Sequence, residues 1–510
     1  MSFLEVTNLK FNYSDKELFN DVSFRLLPND HMGLVGVNGC GKTTFLNLIA
    51  RNIKPDNGKI DWMPDLKLGY LDQHAHVDND ISIKDYLYGV FENLFKKEKE
   101  MEALYESISE ADPKDYDRIL NYANSIMELL EEKGFYAFKS KVGNIISGLG
   151  IDLDRVDDPL YKLSGGQRAK VILGKLLLQQ PDVLIMDEPT NFLDVNHIEW
   201  LTKYLQGYPK AFIVVSHDFE FLNNISNVIC ELENKVITRY KGNYNYFLKE
   251  KEIRSNNYQR QYENQQKFIK KTQDFINKNI VRASTTKRAQ SRRKALEKLD
   301  ILSAPTQSKE IKFTFPFSKE ESQTPLWVKN LEIGYNKPLL NPISFDIRKG
   351  LKLVITGENG IGKSTLIKTL MEEIDPISGD FDFASNADVS YFAQELKYND
   401  DITAFQVIKN EHEYYDNKTI RQVLSRVGIG PDLVMKKMNE LSGGEQAKVR
   451  LCLMTLVKAN MLILDEPTNH LDYIAKKALF EGLKDFKGTI ILVSHEKEFY
   501  KDLIDIEIKL

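Results

Sequence analysis

GVNGCGKTT, residues 36–44, opens out of the apolar run MGLVGV and leads into FLNLIA, and it returns as GENGIGKST at 357–365. Three more stretches return in the same order. LSGGQ at 163–167 becomes LSGGE at 441–445, LIMDEPTNFLD at 184–194 becomes LILDEPTNHLD at 462–472, and VVSHD at 214–218 becomes LVSHE at 492–496. A fixed order of repeated stretches is the mark of a duplicated domain. Lys42 and Lys363 lie 321 residues apart, as do Gln73 and Gln394. Ser164 and Ser442 lie 278 apart, as do Asp187 and Asp465 and the pair His217 and His495. The first copy therefore holds 43 extra residues between Gln73 and Ser164. A second unmatched stretch, about 245–322, lies between the copies.

Strand, glycine-rich turn and helix together make the first motif a P-loop. Its glycines (Gly36, Gly39 and Gly41; Gly357, Gly360 and Gly362), with Asn38 and Asn359, let backbone N–H groups turn toward phosphate. The helix N-terminus adds partial positive charge there. Lys42 and Lys363 are expected on the β- and γ-phosphates, and Thr43 and Ser364 on Mg²⁺, followed by Thr44 and Thr365. Each Asp-Glu pair ends a run with the pattern of a buried strand. Asp187 and Asp465 are expected to hold Mg²⁺ through water, and Glu188 and Glu466 to orient and deprotonate an attacking water. His217 and His495 follow further apolar strands at a repeated spacing, which fits a γ-phosphate contact better than an isolated structural histidine.

With LSGGQ and LSGGE added, the set resembles the ATP-binding cassette family. The resemblance implies a catalytic role at Mg²⁺ and water for Gln73 and Gln394, and adenine stacking by Tyr13 and Tyr335. It also implies a head-to-tail sandwich within one monomer, with ATP between the copies. Site one would then be closed by Ser442, Gly443 and Gly444, and site two by Ser164, Gly165 and Gly166. One departure is Phe192, where the family usually has the histidine present at 470; it is compatible with hydrolysis at both sites and leaves open whether the two are equal.

The chain has 510 residues, 42% hydrophobic and 28% charged, with net charge −5, as in ordinary globular proteins. Cys40, Cys230 and Cys452 are widely spaced, in keeping with a reducing compartment. No signal peptide and no membrane span are read from the sequence, so the expected location is cytoplasmic.

The local charge is less ordinary. Residues 91–110 and 116–135 have helical periodicity, broken at Asp112-Pro113, and read as a hairpin. Across 91–133 there are twelve acidic and six basic residues, which suits a basic protein partner. The inter-copy stretch reads as a long polar helix, a turn at RASTTKRAQ and a return helix SRRKALEKLDIL. Over 266–298 it carries eleven basic and two acidic residues, an electrostatic footprint for a nucleic-acid backbone.

Tandem cassettes, an insertion in the first and a charged helical linker resemble the ABC-F family of ribosome-associated ATPases. The fold class expected is α/β: two P-loop ABC ATPase domains (1–244 and 323–510), an α-helical hairpin arm inserted at about 85–138, and a basic α-helical interdomain linker at 245–322. The resemblance implies docking in the E site of the 50S ribosomal subunit when ATP is bound, linker contacts to P-site tRNA and 23S rRNA, and release after hydrolysis. Arg282, Lys287, Arg288, Arg292, Arg293 and Lys294 are the expected RNA contacts. Alternatives are antibiotic resistance by ribosome protection, the ATPase subunit of an exporter and DNA binding. The short linker tip disfavours the first, the basic linker the second, and the lack of a C-terminal coiled coil the third.

Overall fold

The computed structural model describes residues 2–13, 16–71, 80–108, 112, 114–279, 286–302, 311–319, 322–335, 337–357, 360–393, 401–469 and 471–510. Each cassette is built on a parallel sheet. In the first, the strand order is Leu68–Leu71, Val183–Asp187, Ala211–Val215, His31–Val35, Val228–Glu233 and Val236–Lys241, with only the last strand antiparallel. In the second, Val389–Phe392, Met461–Asp465, Thr489–Val493, Lys352–Thr356 and Ile506–Lys509 are all parallel. The central strands are buried along their whole length, which explains their uninterrupted apolar sequences. A three-stranded antiparallel sheet packs beside each: Leu4–Tyr13 between two partners in the first cassette, Leu326–Glu332 in the second.

This order places three strand ends side by side. The P-loop leaves His31–Val35, the Asp-Glu pair ends Val183–Asp187, and the histidine follows Ala211–Val215. The three elements thus converge in each cassette on the C-terminal edge of one sheet, where such folds bind ligands.

The insertion is a helical hairpin, Glu92–Ser107 and Tyr116–Glu132. Both helices stop short of the lengths expected from periodicity. Gly134, at φ 61°, turns the chain after the second. Its root is an aromatic cluster: Phe95 meets Phe135 and Phe138 edge-on at 5.1 and 5.0 Å, inside the first cassette's core. The linker helix Tyr244–Asn279 has 36 residues, about 54 Å of helix. The return helix is Thr286–Glu297, starting and ending about five residues earlier than expected. Lys, Arg, Ala and Gln at 287–290 are strong helix formers and extend its start. Its tail is taken instead by Gln265, whose amide donates to Asp300 O at 2.7 Å and whose carbonyl accepts from Leu302 N at 2.8 Å. Among the described residues no helix is long and apolar enough to cross a membrane. The three cysteines are free.

In the second cassette the helix after LSGGE is locked to the next by a buried ion pair, Lys448 Nζ to Asp472 Oδ2 at 2.6 Å. Asp472 also caps the helix Tyr473–Asp485 by accepting from Ala475 N. Burial alone would raise the Asp472 carboxyl, but Lys448 outweighs it and holds it low. Replacing Lys448 by Met leaves that carboxylate buried and unpaired, and should lower stability by about 3 kcal/mol in denaturant titration. An unchanged midpoint would show that Asp472 does not need its partner.

Candidate nucleotide sites

The P-loops fold as their glycines require. Gly41 and Gly362, at φ 106° and 118°, stand just before the helices Lys42–Ile49 and Lys363–Leu370 in a left-handed conformation that a side chain resists. A Cβ on Gly36 would come within 2.6 Å of Leu232 O. Lys42 Nζ donates to Gly36 O at 2.9 Å, and Lys363 Nζ to Gly357 O at 2.7 Å, so each lysine is held over its own loop.

Both catalytic-base candidates are strained in the same way. Glu188 and Glu466 have φ of 50° and 47°, a conformation that costs a non-glycine residue about 1 kcal/mol or more. The neighbouring strand holds each in place, with Glu188 N donating to Val215 O and Glu466 N to Val493 O. This twist turns each carboxylate toward its histidine. His217 N donates to Glu188 Oε2 at 3.1 Å, and His217 Nε2 lies 3.5 Å from Oε1. In the second copy His495 Nδ1 lies 2.9 Å from Glu466 Oε2.

Burial, reinforced by the Asp187 carboxylate, pushes Glu188 up to about 7, against the pull of Lys42, the His217 amide and Lys476. Burial likewise lifts Asp465 to about 6, opposed by the Ser364 hydroxyl. Burial lowers His495, but the hydrogen bond and charge of Glu466 outweigh it and leave the ring raised. Adjacent carboxylates in low dielectric are costly without a nearby cation.

One cavity of about 1260 Å³ is lined by Tyr13, Gly39, Lys42, Thr43, Asp187, Glu188 and His217 of the first cassette. Asn38, Gly41 and Thr44 also line it. Ser442, Gly443 and Gly444 of the second cassette form its opposite wall, with Asp432, Lys436 and Glu440 beside them. The cassettes therefore meet head to tail at this cavity. Ser442 accepts from Glu445 N, and the Glu445 carboxylate accepts from Ser442 N in return, so the signature turn is rigid.

The second P-loop lines a smaller cavity, about 290 Å³, with Gly360, Gly362, Lys363, Ser364, Thr365, Glu466 and His495. Its first-cassette wall is Asn191 and Leu193. Ser164, Gly165 and Gly166 are exposed and do not line it, unlike the arrangement the resemblance implies. Tyr335 is 68% exposed and does not line it either. Phe192 packs against the first cassette's core, beside the spot where a Cβ on Gly166 would sit. Asp465 is fully buried behind the second loop. Gln73, Gln394, Asn359, Arg282 and the residue 470 histidine lie outside the described residues.

Sequence reading missed the walls contributed by Asn191, Leu193, Asp432, Lys436 and Glu440, which depend on docking. It also missed Lys476, which donates to His217 O at 3.1 Å across the cassette boundary. The signal was present: 278 residues earlier, Lys476 is matched by Ile198.

The raised Glu188 has a consequence for stability. In the unfolded chain a glutamate titrates near 4.5, in the fold near 7. The charged form is therefore disfavoured in the fold, fully above pH 7 and not at all below 4.5. Glu188→Gln should stabilise the protein by about 3 kcal/mol at pH 8, with the gain fading as pH falls through 7 toward 4.5. Denaturation at pH 8 and pH 5 checks this; a gain independent of pH would show that the carboxylate is not the cause.

Two family models, both described as ABC transporter, match the chain: one over residues 19–191 and again over 340–469, the other over 230–315. The "Uncharacterized ABC transporter ATP-binding protein YfmM" of Bacillus subtilis is 41% identical over 503 residues, covering 99% of this chain and 97% of that one. "ABC transporter F family member 2" of Arabidopsis thaliana is 32% identical over 515 residues, covering 99% and 76%. Among solved structures, archaeal ribosome recycling factor aABCE1, in complex with archaeal ribosomal stalk protein aP1, shares the fold at TM-score 0.59 and 18% identity, over 98% of this chain and 87% of that one. With its duplicated P-loops, signature turns and strained Asp-Glu pairs, the chain belongs to the ATP-binding cassette family, in its F branch, and is an ATPase.

Proposed function

We propose that the protein is a cytoplasmic, ribosome-binding translation factor. With ATP bound it docks in the 50S E site, sets its linker against P-site tRNA and 23S rRNA, and leaves after hydrolysis. The observation that carries this reading is the linker. A pair of helices with eleven basic and two acidic residues over 266–298 joins the two ATPase halves of a chain whose net charge is −5. Neutralising phosphates along structured RNA is the task such a surface fits. The recycling factor whose fold the chain shares is itself a ribosomal protein's partner by description.

ATP would bind at both P-loops. In the first cassette Lys42 is held over the loop that would cradle the phosphates, and Tyr13 lines the same cavity. The buried Asp187–Glu188 and Asp465–Glu466 pairs fit a cation, with Thr43 and Ser364 supplying hydroxyls. Among the described residues no three His, Cys, Asp or Glu side chains form a metal cluster. Mg²⁺ there would neutralise charge on the phosphates. Glu188 and Glu466, aligned by His217 and His495, would accept the proton of the attacking water. Gln73 and Gln394 are assigned to the same water and metal by the family pattern.

Within the linker the cations differ. Arg292 lies over the Phe275 ring at 4.0 Å, and Arg293 pairs with Glu297 at 3.0 Å. Arg288 and Lys294 are exposed, and no ion pair is seen for them among the described residues. Those two are the best-placed phosphate contacts that leave the fold undisturbed. The arm is the acidic counterpart, with Glu102, Asp115 and Asp117 exposed, and we assign it to a basic ribosomal protein.

The test traps the ATP state with Glu188→Gln plus Glu466→Gln and follows co-sedimentation with ribosomes. Trapped protein should sediment with ribosomes only when ATP is present. Adding Arg288→Glu and Lys294→Glu should weaken binding and lower the log–log salt slope by roughly 2, while ATP binding persists. Reversing Glu102, Asp115 and Asp117 to Lys should weaken it without that change of slope. Trapped protein recovered with membranes, or absent from ribosomes, overturns the reading.

A further inference from the structure

We propose that Lys476 is a positioning residue that ties the two switch-histidine loops together, so that the arrangement of one site is imposed on the other. Its ammonium donates to His217 O, in the first cassette, at 3.1 Å. It also donates to both oxygens of Glu496, in the second, at 2.8 Å each. Glu496 directly follows His495, and the peptide of His217 presents its N–H to Glu188. One side of the His217 residue thus holds the first site's carboxylate while the other is held by Lys476.

The lysine side chain is only 8% exposed, so these bonds form with little competition from water. Charge-assisted bonds of this kind are about twice as strong as neutral ones. Asp218 and Glu496, one from each switch loop, and His495 all feel the charge of the same ammonium. Burial would raise Glu496, but Lys476 outweighs it and keeps the carboxyl low. Were the first loop to withdraw, the cation would lose an acceptor and the carboxylates would lose part of their compensation. The junction therefore favours two discrete arrangements over a continuum.

The same cation stands 5.3 Å from the Phe219 ring. Phe219 meets Tyr473 edge-on at 5.3 Å and stacks on Tyr244 at 5.0 Å. Tyr244 is the first residue of the linker helix. A first switch loop, a second switch loop and the linker root thus share one contact set, beside a cavity of about 660 Å³ lined by Phe219, Tyr244, Tyr473 and Lys476.

The set cannot be mirrored in the other direction. At the 278-residue offset Lys476 is matched by Ile198, Tyr473 by Val195 and Phe219 by Lys497. Coupling through this junction is a property of one face of the sandwich only.

The inference rests on Glu188 being the first site's base, and the test separates the two ideas. ATP hydrolysis by the full chain is measured against ATP concentration for Lys476→Met, Lys476→Arg and the charge-balanced pair Lys476→Met with Glu496→Gln. Lys476→Met should bring the Hill coefficient to about 1, and Lys476→Arg should restore it in part. In a Glu466→Gln background, where turnover reports the first site, Lys476→Met should slow hydrolysis roughly tenfold. Unchanged cooperativity in Lys476→Met and in the charge-balanced pair overturns the proposal. Turnover that survives Glu188→Gln in the Glu466→Gln background removes the base assignment instead, and leaves the cooperativity measurement to decide on Lys476.

Discussion

The rest of the molecule is arranged around one constraint: two adjacent carboxylates must be held in low dielectric, against a phosphate-binding turn, at the end of a buried strand. Water would make that arrangement trivial and useless. Burial makes it costly, and Glu188 at about 7 and Asp465 at about 6 register the cost. The parallel sheet supplies the burial, since its central strands are covered on both faces. It also supplies alignment, because the neighbouring strand's last carbonyl fixes the left-handed turn at each glutamate. Strain and desolvation are stored together where positioned charge is required.

What the sequence made legible follows from the range of the forces involved. The P-loops, signature turns and Asp-Glu strands are local: glycine at positive φ, a Ser cap three residues before Gln or Glu, and a five-residue apolar run each leave a local mark. Arm and linker helices were legible because amphipathic periodicity is also local. Their ends were less so, since a competing side chain, Gln265, takes the backbone of Asp300 and Leu302. The second site's walls were not legible. Whether Ser164 or Asn191 faces Lys363 is decided by how two folded bodies dock, and no short stretch records that.

The inserts show the same division of labour. The arm's root is apolar and aromatic, continuous with the first cassette's core, while its outer surface is acidic. The linker begins in the same core at Tyr244 and Phe247 and becomes polar and basic as it leaves. At ionic strengths near 0.15 M a charge is felt over only about 8 Å. The net charge of −5 therefore says nothing to a partner at the linker, which meets only the local surplus of cations.

Duplication gave two cassettes with the same chemistry, and the departures from symmetry are few enough to locate. Phe192 stands where the second copy has histidine, Ile198 stands where it has Lys476, and only the first copy carries the arm. The first two changes lie on the loop and helix that follow an Asp-Glu pair, the elements that face the opposite cassette. A charged residue replacing an apolar one at such a boundary survives burial only if the other side supplies acceptors, and His217 O and Glu496 do so. These sequence differences between the copies thus lie at their shared boundary and not in the motifs expected to bind phosphate. Tyr244, the first residue of the linker helix, stacks on Phe219 at that boundary, so the linker root is in contact with one switch loop and has no counterpart contact in the sequence of the other.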